Sequence, residues 1–170
     1  GLVAGYCGGA VDAVFTRFMD GMSAFPFTLL ALMLMTVLGG GVANVILAIG
    51  IASVPGYARM TQGQEHIVKN EEYIKAVKAL GAGNPRILFR HLLPNVVSEL
   101  IVYATLNVAS AILTEASLSF LGMGITPPDV SWGSILQEGQ ECIQTASHVA
   151  TFSGLCILVT VLGFNLFGDG

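Results

Sequence analysis

Apolar residues run along this chain in long, nearly uninterrupted blocks, and polar residues collect in the segments between them. A block of about 17 residues or more is long enough, as an α-helix, to cross the hydrocarbon core of a bilayer. The pattern therefore predicts an all-α fold, a polytopic bundle of membrane helices. The predicted spans are residues 1–6 (the end of a span), 25–41, 42–57, 95–120 and 149–167.

Composition supports this reading. Of the 170 residues, 54% are hydrophobic and only 11% are charged, whereas average soluble chains carry about a quarter charged residues. A soluble domain of this composition would lack the polar residues to cover its surface. Cys7, Cys142 and Cys156 form no CxxC pair and no metal-ligand spacing, so we expect free thiols. Because the chain opens on Gly1 in an apolar stretch, we expect a fragment that lacks N-terminal span sequence and the extreme C-terminus.

The basic residues predict the orientation in the membrane, since Lys and Arg concentrate on the cytoplasmic side. Six of the seven lie in the segment 58–94, Arg17 precedes the first complete span, and the segment 121–148 contains none. A cytoplasmic loop 58–94 and an external loop 121–148 place all seven on the inner side. We therefore predict a multi-pass protein of the inner (cytoplasmic) membrane.

The cytoplasmic loop contains a short amphipathic helix. Tyr73, Ile74, Val77 and Leu80 follow the spacing i, i+1, i+4, i+7, which places them on one helix face. Such a helix either lies among lipid headgroups or docks into a groove on a partner protein. The pattern alone leaves both possibilities open.

The residues after this helix are typical of helix ends and helix starts. Gly81 stands where a C-terminal cap is expected, because glycine tolerates a positive φ there. Asn84 and Pro85 then predict the N-cap and first position of a second short helix, ending near Leu93. Pro94 is predicted to open the next span.

The stretch "KAVKALGAGNPRILFRHLLP" resembles the cytoplasmic signature of membrane subunits in binding-protein-dependent ABC importers. That signature reads Glu-Ala-Ala, three residues, Gly, nine residues, Ile-x-Leu-Pro. Here the spacing matches throughout, with Lys for Glu, Val for the second Ala, and His for Ile. Other stretches look like the second membrane subunit of dipeptide, oligopeptide and nickel importers, and together they cover the chain in order. They are "AGYCGGAVDAVFTRFMDGMSAFP", "EYIKAVKALGAG", "RHLLPN", "SFLGMGITPPDVSWGSIL" and "FNLFGDG".

The resemblance implies that the loop is a coupling helix, which sits in a cleft on a separate ABC ATPase subunit and transmits that subunit's closing to the spans. It also implies a second, related permease subunit, an extracytoplasmic solute-binding protein and membrane lipid as partners, and no nucleic acid. A homodimeric permease pair stays open. The residues assigned to the ATPase-coupling loop are Tyr73, Ile74, Lys75, Ala76, Val77, Lys78, Leu80, Gly81, Pro85, His91, Leu93 and Pro94.

The chain contains no G-x-x-x-x-G-K-[ST] phosphate loop. We therefore expect that this chain does not hydrolyse ATP, which is used by the partner ATPase subunit. We also expect no bound cofactor, no metal site and no enzymatic activity. The resemblance implies transport of dipeptides or oligopeptides, with a nickel importer as the alternative.

One predicted span carries a polar stripe. At 100° per residue, its members share one side of the helix, and polar groups facing lipid would be costly. The stripe therefore faces either other helices, through interhelical hydrogen bonds, or a wet cavity. The resemblance favours a translocation path. The stripe consists of Glu99, Tyr103, Asn107, Ser110, Thr114 and Ser117, and all but Ser117 are assigned to the path.

The sequence of the external loop predicts a short helix with Ser131 as its N-cap and Trp132 near its start. A Trp at this position is typical of a headgroup anchor. The acidic residues Asp129, Glu138 and Glu141 would alternatively suit contact with a soluble binding protein. The sequence does not separate these two readings.

Two other classes of membrane protein fit less well. A membrane-embedded enzyme needs a nucleophile and a base together inside the spans, but no GxSxG occurs, and the three His lie outside the predicted spans. A channel or secondary carrier has no need of the helical hairpin, and the spans lack the acidic pairs typical of ion coupling.

Overall fold

A computed structural model describes residue 1 and residues 8–169 of the chain, and those residues contain α-helices and no β-strand. The predicted all-α fold is thus confirmed. The predicted span end at 1–6 lies almost wholly outside the described residues. The helices are α1 (Gly9–Ser23), α2 (Phe27–Leu38), α3 (Val42–Lys69), α4 (Glu72–Ala79), α5 (Asn84–Ile87), α6 (Leu93–Phe120), α7 (Trp132–Glu141) and α8 (Ser147–Asp169), with a π-helical segment, Leu88–Leu92, between α5 and α6.

Three helical stretches of the described chain are long and apolar enough to cross a membrane: α3, the run Asn84–Phe120, and α8. Helices α1 and α2 qualify only when they are counted together as one broken span. Helix α2 has 12 residues and is therefore only about 18 Å long. It is shorter than the predicted span 25–41, because Pro26 is extended at one end and Gly39 and Gly41 take positive φ at the other.

Helix α3 does not end at residue 57, where the hydropathy pattern places the end of the span. It continues for 12 residues to Lys69, with Pro55 inside it. The added part is polar but contains few helix breakers. Hydropathy therefore marks where the apolar part of this helix ends and says nothing about where the helix itself ends.

The chain forms two compact units. One unit comprises Val54–Tyr103 and the described residues before Phe25. Its helical hairpin has a core of its own, made by Ile74, Ile87 and Leu92 with Val68, Val77 and Ala82 packed around them.

The other unit comprises Phe25–Ser53 and the described residues from Ala104 onwards. Helices α2, α3 and α6 meet in one cluster, where small residues allow the backbones to approach closely. Helices α6 and α8 meet in a second cluster, and α7 packs against α8. The buried residues of the two clusters are Ala31, Met35, Val45, Ala48, Ala52 and Leu118, and Ala109, Ala116, Ile157 and Val161.

Candidate functional site

The hairpin between α3 and α6 turns at a glycine. Gly81 has a φ of 82°, and its N–H donates to the Lys78 carbonyl oxygen at 3.1 Å. The N–H of Ala82 donates to the Val77 carbonyl oxygen at 3.3 Å. These two bonds form a Schellman motif, which satisfies the last carbonyls of α4 and requires a left-handed residue at the position of Gly81. The predicted capping position of Gly81 is confirmed.

The second arm of the hairpin differs from the prediction. Asn84 is the first helical residue and Gly83 the cap, so the predicted N-cap is off by one position, while Pro85 lies in the first turn as expected. The predicted end near Leu93 is wrong, since the helix passes through the π segment directly into α6.

The π segment explains why Pro94 does not break this long helix. A proline lacks an N–H, and its ring clashes with the carbonyl four residues earlier. Here the Leu93 N–H donates to the Leu88 carbonyl oxygen, five residues back. The wider turn opens the backbone just before the proline ring, and the second arm of the hairpin is thereby joined to α6 without a loop.

The apolar face of α4 is divided between two tasks. Ile74 is 3% exposed and belongs to the hairpin core, so it holds the two arms together and is not available to a partner. Val77 is half-buried beside it. Leu80, in contrast, is 88% exposed at the tip. Within the segment assigned to the coupling loop, Ile74 therefore has a structural role inside the hairpin.

A hydrogen bond joins α4 to the start of α6. The side-chain amide of Asn95 donates to the Tyr73 hydroxyl oxygen at 3.0 Å and to the His91 carbonyl oxygen at 2.7 Å. The rings of Tyr73 and His91 lie 6.4 Å apart between centroids. Tyr73 thus links the first turn of α4 to the long helix and is still 43% exposed.

The outer surface of the hairpin is basic and partly apolar. Lys75, Ala76, Lys78, Pro85 and Pro94 are exposed, and Leu93 is half-buried. A groove runs between the arms, and its lining residues are Val77, Leu80, Gly81, Ala82, Arg86, Arg90 and His91.

Sequence reasoning missed part of this surface. Arg86 and Arg90 were counted only toward membrane orientation, although their i, i+4 spacing already places them on one side of a helix. Phe89 is 63% exposed. Its exposure could not be predicted from the sequence, because a hydropathy pattern does not distinguish an exposed phenylalanine from a core phenylalanine.

The polar stripe of α6 is only partly open. Glu99 and Ser110 are exposed, and Asn107 is half-buried. Tyr103 is half-buried and packs edge-on against Tyr57 of α3, with ring centroids 4.9 Å apart. Thr114 is 5% exposed and donates to the Ser110 carbonyl oxygen at 2.9 Å. Thr114 is thus buried within its own chain, unlike Glu99 and Ser110 of the same stripe.

The outer end of α6 is fixed by close backbone contacts. The Ser119 hydroxyl donates to Glu115 Oε1 at 2.6 Å and accepts from the Ile125 N–H at 3.0 Å. A Cβ at Gly133 of α7 would lie 2.5 Å from the Ala116 carbonyl oxygen. Helix α7 is therefore pressed directly onto the backbone of α6.

Helix α7 also has the predicted cap. The Ser134 N–H donates to the Ser131 hydroxyl, and the Ser131 N–H donates to the Ser134 hydroxyl, at 3.2 Å and 3.0 Å. This reciprocal pair is a capping box, so the N-cap role of Ser131 is confirmed. Trp132, Asp129, Glu138 and Glu141 are exposed around it.

Comparison with known proteins gives a match along the whole chain. Residues 1–170 match the family described as "Binding-protein-dependent transport system inner membrane component". The chain is 44% identical over 170 residues to the glutathione transport system permease protein GsiD of Pectobacterium atrosepticum, covering 100% of this chain and 56% of that protein. GsiD proteins of Escherichia coli O6:K15:H31 and Shigella boydii serotype 4 are each 44% identical over 165 residues, which is 97% of this chain and 54% of theirs. The chain thus spans about half the length of these relatives.

Proposed function

Because the chain belongs to the family of inner-membrane components of binding-protein-dependent transport systems, we propose that it forms half of the translocation pathway of an ATP-driven importer. Its hairpin docks on a separate ABC ATPase subunit. A second, related permease subunit supplies the other half of the pathway, and an extracytoplasmic solute-binding protein delivers the substrate.

The observation that carries the docking proposal is the tip of the hairpin. Leu80 is 88% exposed, yet it stands on a turn fixed by two hydrogen bonds and backed by a buried core. An apolar side chain held rigidly in the open gains free energy when a partner covers it and loses little conformational entropy in doing so. Lys75, Lys78, Arg86 and Arg90 surround it with positive charge, which selects an acidic partner surface.

Substitution of Leu80 tests the docking. Because Leu80 contributes little to the core of its own chain, Leu80→Asp should leave the permease folded. It should weaken binding of the ATPase subunits by roughly 10- to 100-fold, since burial of a leucine contributes about 1.5–3 kcal/mol. The measurement is the affinity of purified ATPase subunits for the detergent-solubilised permease complex.

A matched control is Val130→Asp, which introduces the same charge at an apolar residue of the outer loop that is also well exposed, at 69%. ATPase affinity should be unchanged in this variant. If Leu80→Asp binds the ATPase subunits as tightly as the unsubstituted permease, docking through the hairpin tip is wrong.

We further propose that Glu99, Tyr103, Asn107 and Ser110 border the pathway. They follow one side of α6, and none of them is buried in its own chain. A side chain that lines a pathway shared by two permease subunits must not be buried within its own chain. Thr114 does not meet this condition, because it is 5% exposed.

For the substrate we propose short peptides or peptide-like solutes. The relatives are named for transport of glutathione, a γ-linked tripeptide. Uptake of radiolabelled glutathione by the assembled importer, competed with dipeptides and tripeptides, tests this assignment. Competition by nickel and not by any peptide would contradict it.

A further inference from the structure

Helix α1 presents an apolar face that the described chain leaves largely uncovered, with Phe15 half-buried and its neighbours on the face exposed. Val11, Val14, Phe15 and Phe18 follow the spacing i, i+3, i+4, i+7 and lie on one side of the helix. Val11, Val14 and Phe18 are between 60% and 71% exposed. These side chains, with Ala10, line one shallow apolar groove. We refer to this surface as the α1 apolar face.

The opposite side of α1 is fastened to α3. The Gln62 side-chain amide donates to Asp12 Oδ1 at 3.0 Å and to the Thr16 hydroxyl oxygen at 3.2 Å. Asp20 forms an ion pair with Arg59, with an N–O distance of 2.9 Å. These contacts tie both acidic residues of α1 to the part of α3 that extends beyond the predicted span. The apolar face of α1 therefore points away from α3.

The chemistry of the free surface fits lipid better than protein. With Asp12 and Asp20 engaged, Arg17 is the remaining charged residue of α1, and it is exposed on a flank of the α1 apolar face. An apolar stripe flanked by a cation is the pattern of a helix that lies in a membrane interface with anionic headgroups. After a connection of three residues, the chain also enters α2, whose exposed residues include the apolar Leu29, Met33 and Val37.

We infer that α1 lies along the cytoplasmic surface of the bilayer, with Val11, Val14, Phe15 and Phe18 inserted among the lipid chains and Arg17 at the phosphate level. The inference uses the predicted orientation of the membrane but not the docking of the ATPase. It gives the cytoplasmic extension of α3 a fixed support on the membrane surface, just before the hairpin.

Spin-label accessibility tests the inference on the full chain. Cys7, Cys142 and Cys156 are replaced by Ser, and a nitroxide is attached at Val14→Cys or, as a second site, Phe18→Cys. Ala13→Cys is the matched control, because it is also exposed but lies outside the α1 apolar face, about 100° from Val14 and about 140° from Phe18 around the helix. The proteins are reconstituted in vesicles that contain phosphatidylglycerol, both alone and with the partner subunits.

The labels at residues 14 and 18 should collide more often with oxygen, which concentrates in lipid, than with a water-soluble nickel chelate. The label at residue 13 should show the reverse. The inference is overturned if residues 14 and 18 favour the nickel chelate, which means that the face is in water. It is also overturned if both collision rates collapse only when the partner subunits are added, which means that the second permease subunit covers the face.

Discussion

The two ends of α6 are held in different ways. At the inner end, the helix continues through a π segment into a hairpin whose arms share one small core of three buried residues. The polar link that joins α4 to α6 there, between Tyr73 and Asn95, is exposed. At the outer end, Ser119 is 1% exposed and holds both Glu115 and the backbone of Ile125.

The glycines show the same difference. Gly133 and Gly139 of α7 have no room for a side chain, because a Cβ would meet the backbones of α6 and α8. Gly81 of the hairpin has open space around it, and only its φ demands glycine. The outer end is thus fixed by close packing between helix backbones, whereas the turn of the hairpin at the inner end is fixed by local backbone conformation. The second kind of construction suits the docking proposed above, because the turn keeps its shape through its own backbone conformation and hydrogen bonds.

The largest expected effect on stability comes from a substitution at the outer end of α6, where α7 packs against it. Gly133→Ala places a Cβ 2.5 Å from the Ala116 carbonyl oxygen and 2.7 Å from Ala116 Cα. Both are backbone atoms that cannot swing aside, so overpacking should destabilise the protein by about 1–3 kcal/mol. The measurement is thermal unfolding in detergent, followed by the fluorescence of Trp132, the single tryptophan.

Gly154→Ala is the control for that substitution. It lies inside α8, and a Cβ there meets no heavy atom within 4 Å. The change should be neutral or stabilise the helix by up to about 1 kcal/mol. Equal melting temperatures for the two variants would show that α7 is not pressed onto α6.

A smaller effect on stability, but a direct effect on coupling, is expected at the hairpin. Gly81→Val forces a β-branched residue to a φ of 82°, a left-handed conformation that costs an L-residue about 1–2 kcal/mol. The turn should relax and the tip should move. We expect the assembled importer to lose substrate-stimulated ATP hydrolysis while it keeps its basal rate.

Gly83→Val is the matched control, two residues away in the same turn. Gly83 has φ −70° and ψ 156°, an extended conformation that suits valine. Stimulated hydrolysis should survive in this variant. Unchanged stimulation in Gly81→Val would mean that the geometry of the tip does not transmit the signal.

The smallest effect on stability is expected in the middle of α6, where a cysteine replaces one exposed side chain. In a variant without native cysteines, Ser110→Cys should react readily with a membrane-impermeant maleimide when the importer is assembled in vesicles. Val108→Cys is also exposed in the isolated chain but lies about 160° around the helix, so it should react far more slowly. Equal reaction rates of the cysteines at residues 108 and 110 would mean that the stripe does not line the pathway.

Membership of the family confirms several interpretations made from the sequence. The chain is a component of a transport system of the inner membrane, and its relatives are named as transport permeases and not as enzymes. The signature around Gly81 could be found because it depends on the order of residues along the chain. A left-handed cap and a capping box are formed by neighbours in sequence, and for that reason the positions of Gly81 and Ser131 could be predicted.

Other features could not be predicted in this way. Ile74 and Leu80 occupy the same face of α4, and nothing in their spacing separates the buried residue from the exposed one. Their difference arises because Ile87 and Leu92, on the second arm, cover only the first part of that face. Thr114 likewise belongs to the polar stripe by periodicity, but neighbouring helices bury it.

The sequence by itself determined the membrane class of the protein, its all-α fold and the local turn that shapes the hairpin, because hydropathy and backbone preference act between residues close along the chain. The tertiary structure alone decided which polar and apolar side chains remain open. Exposure depends on what packs across from a residue, and here those neighbours come from helices distant in sequence, as with Gln62 and Arg59 for α1 and Gly133 for α6.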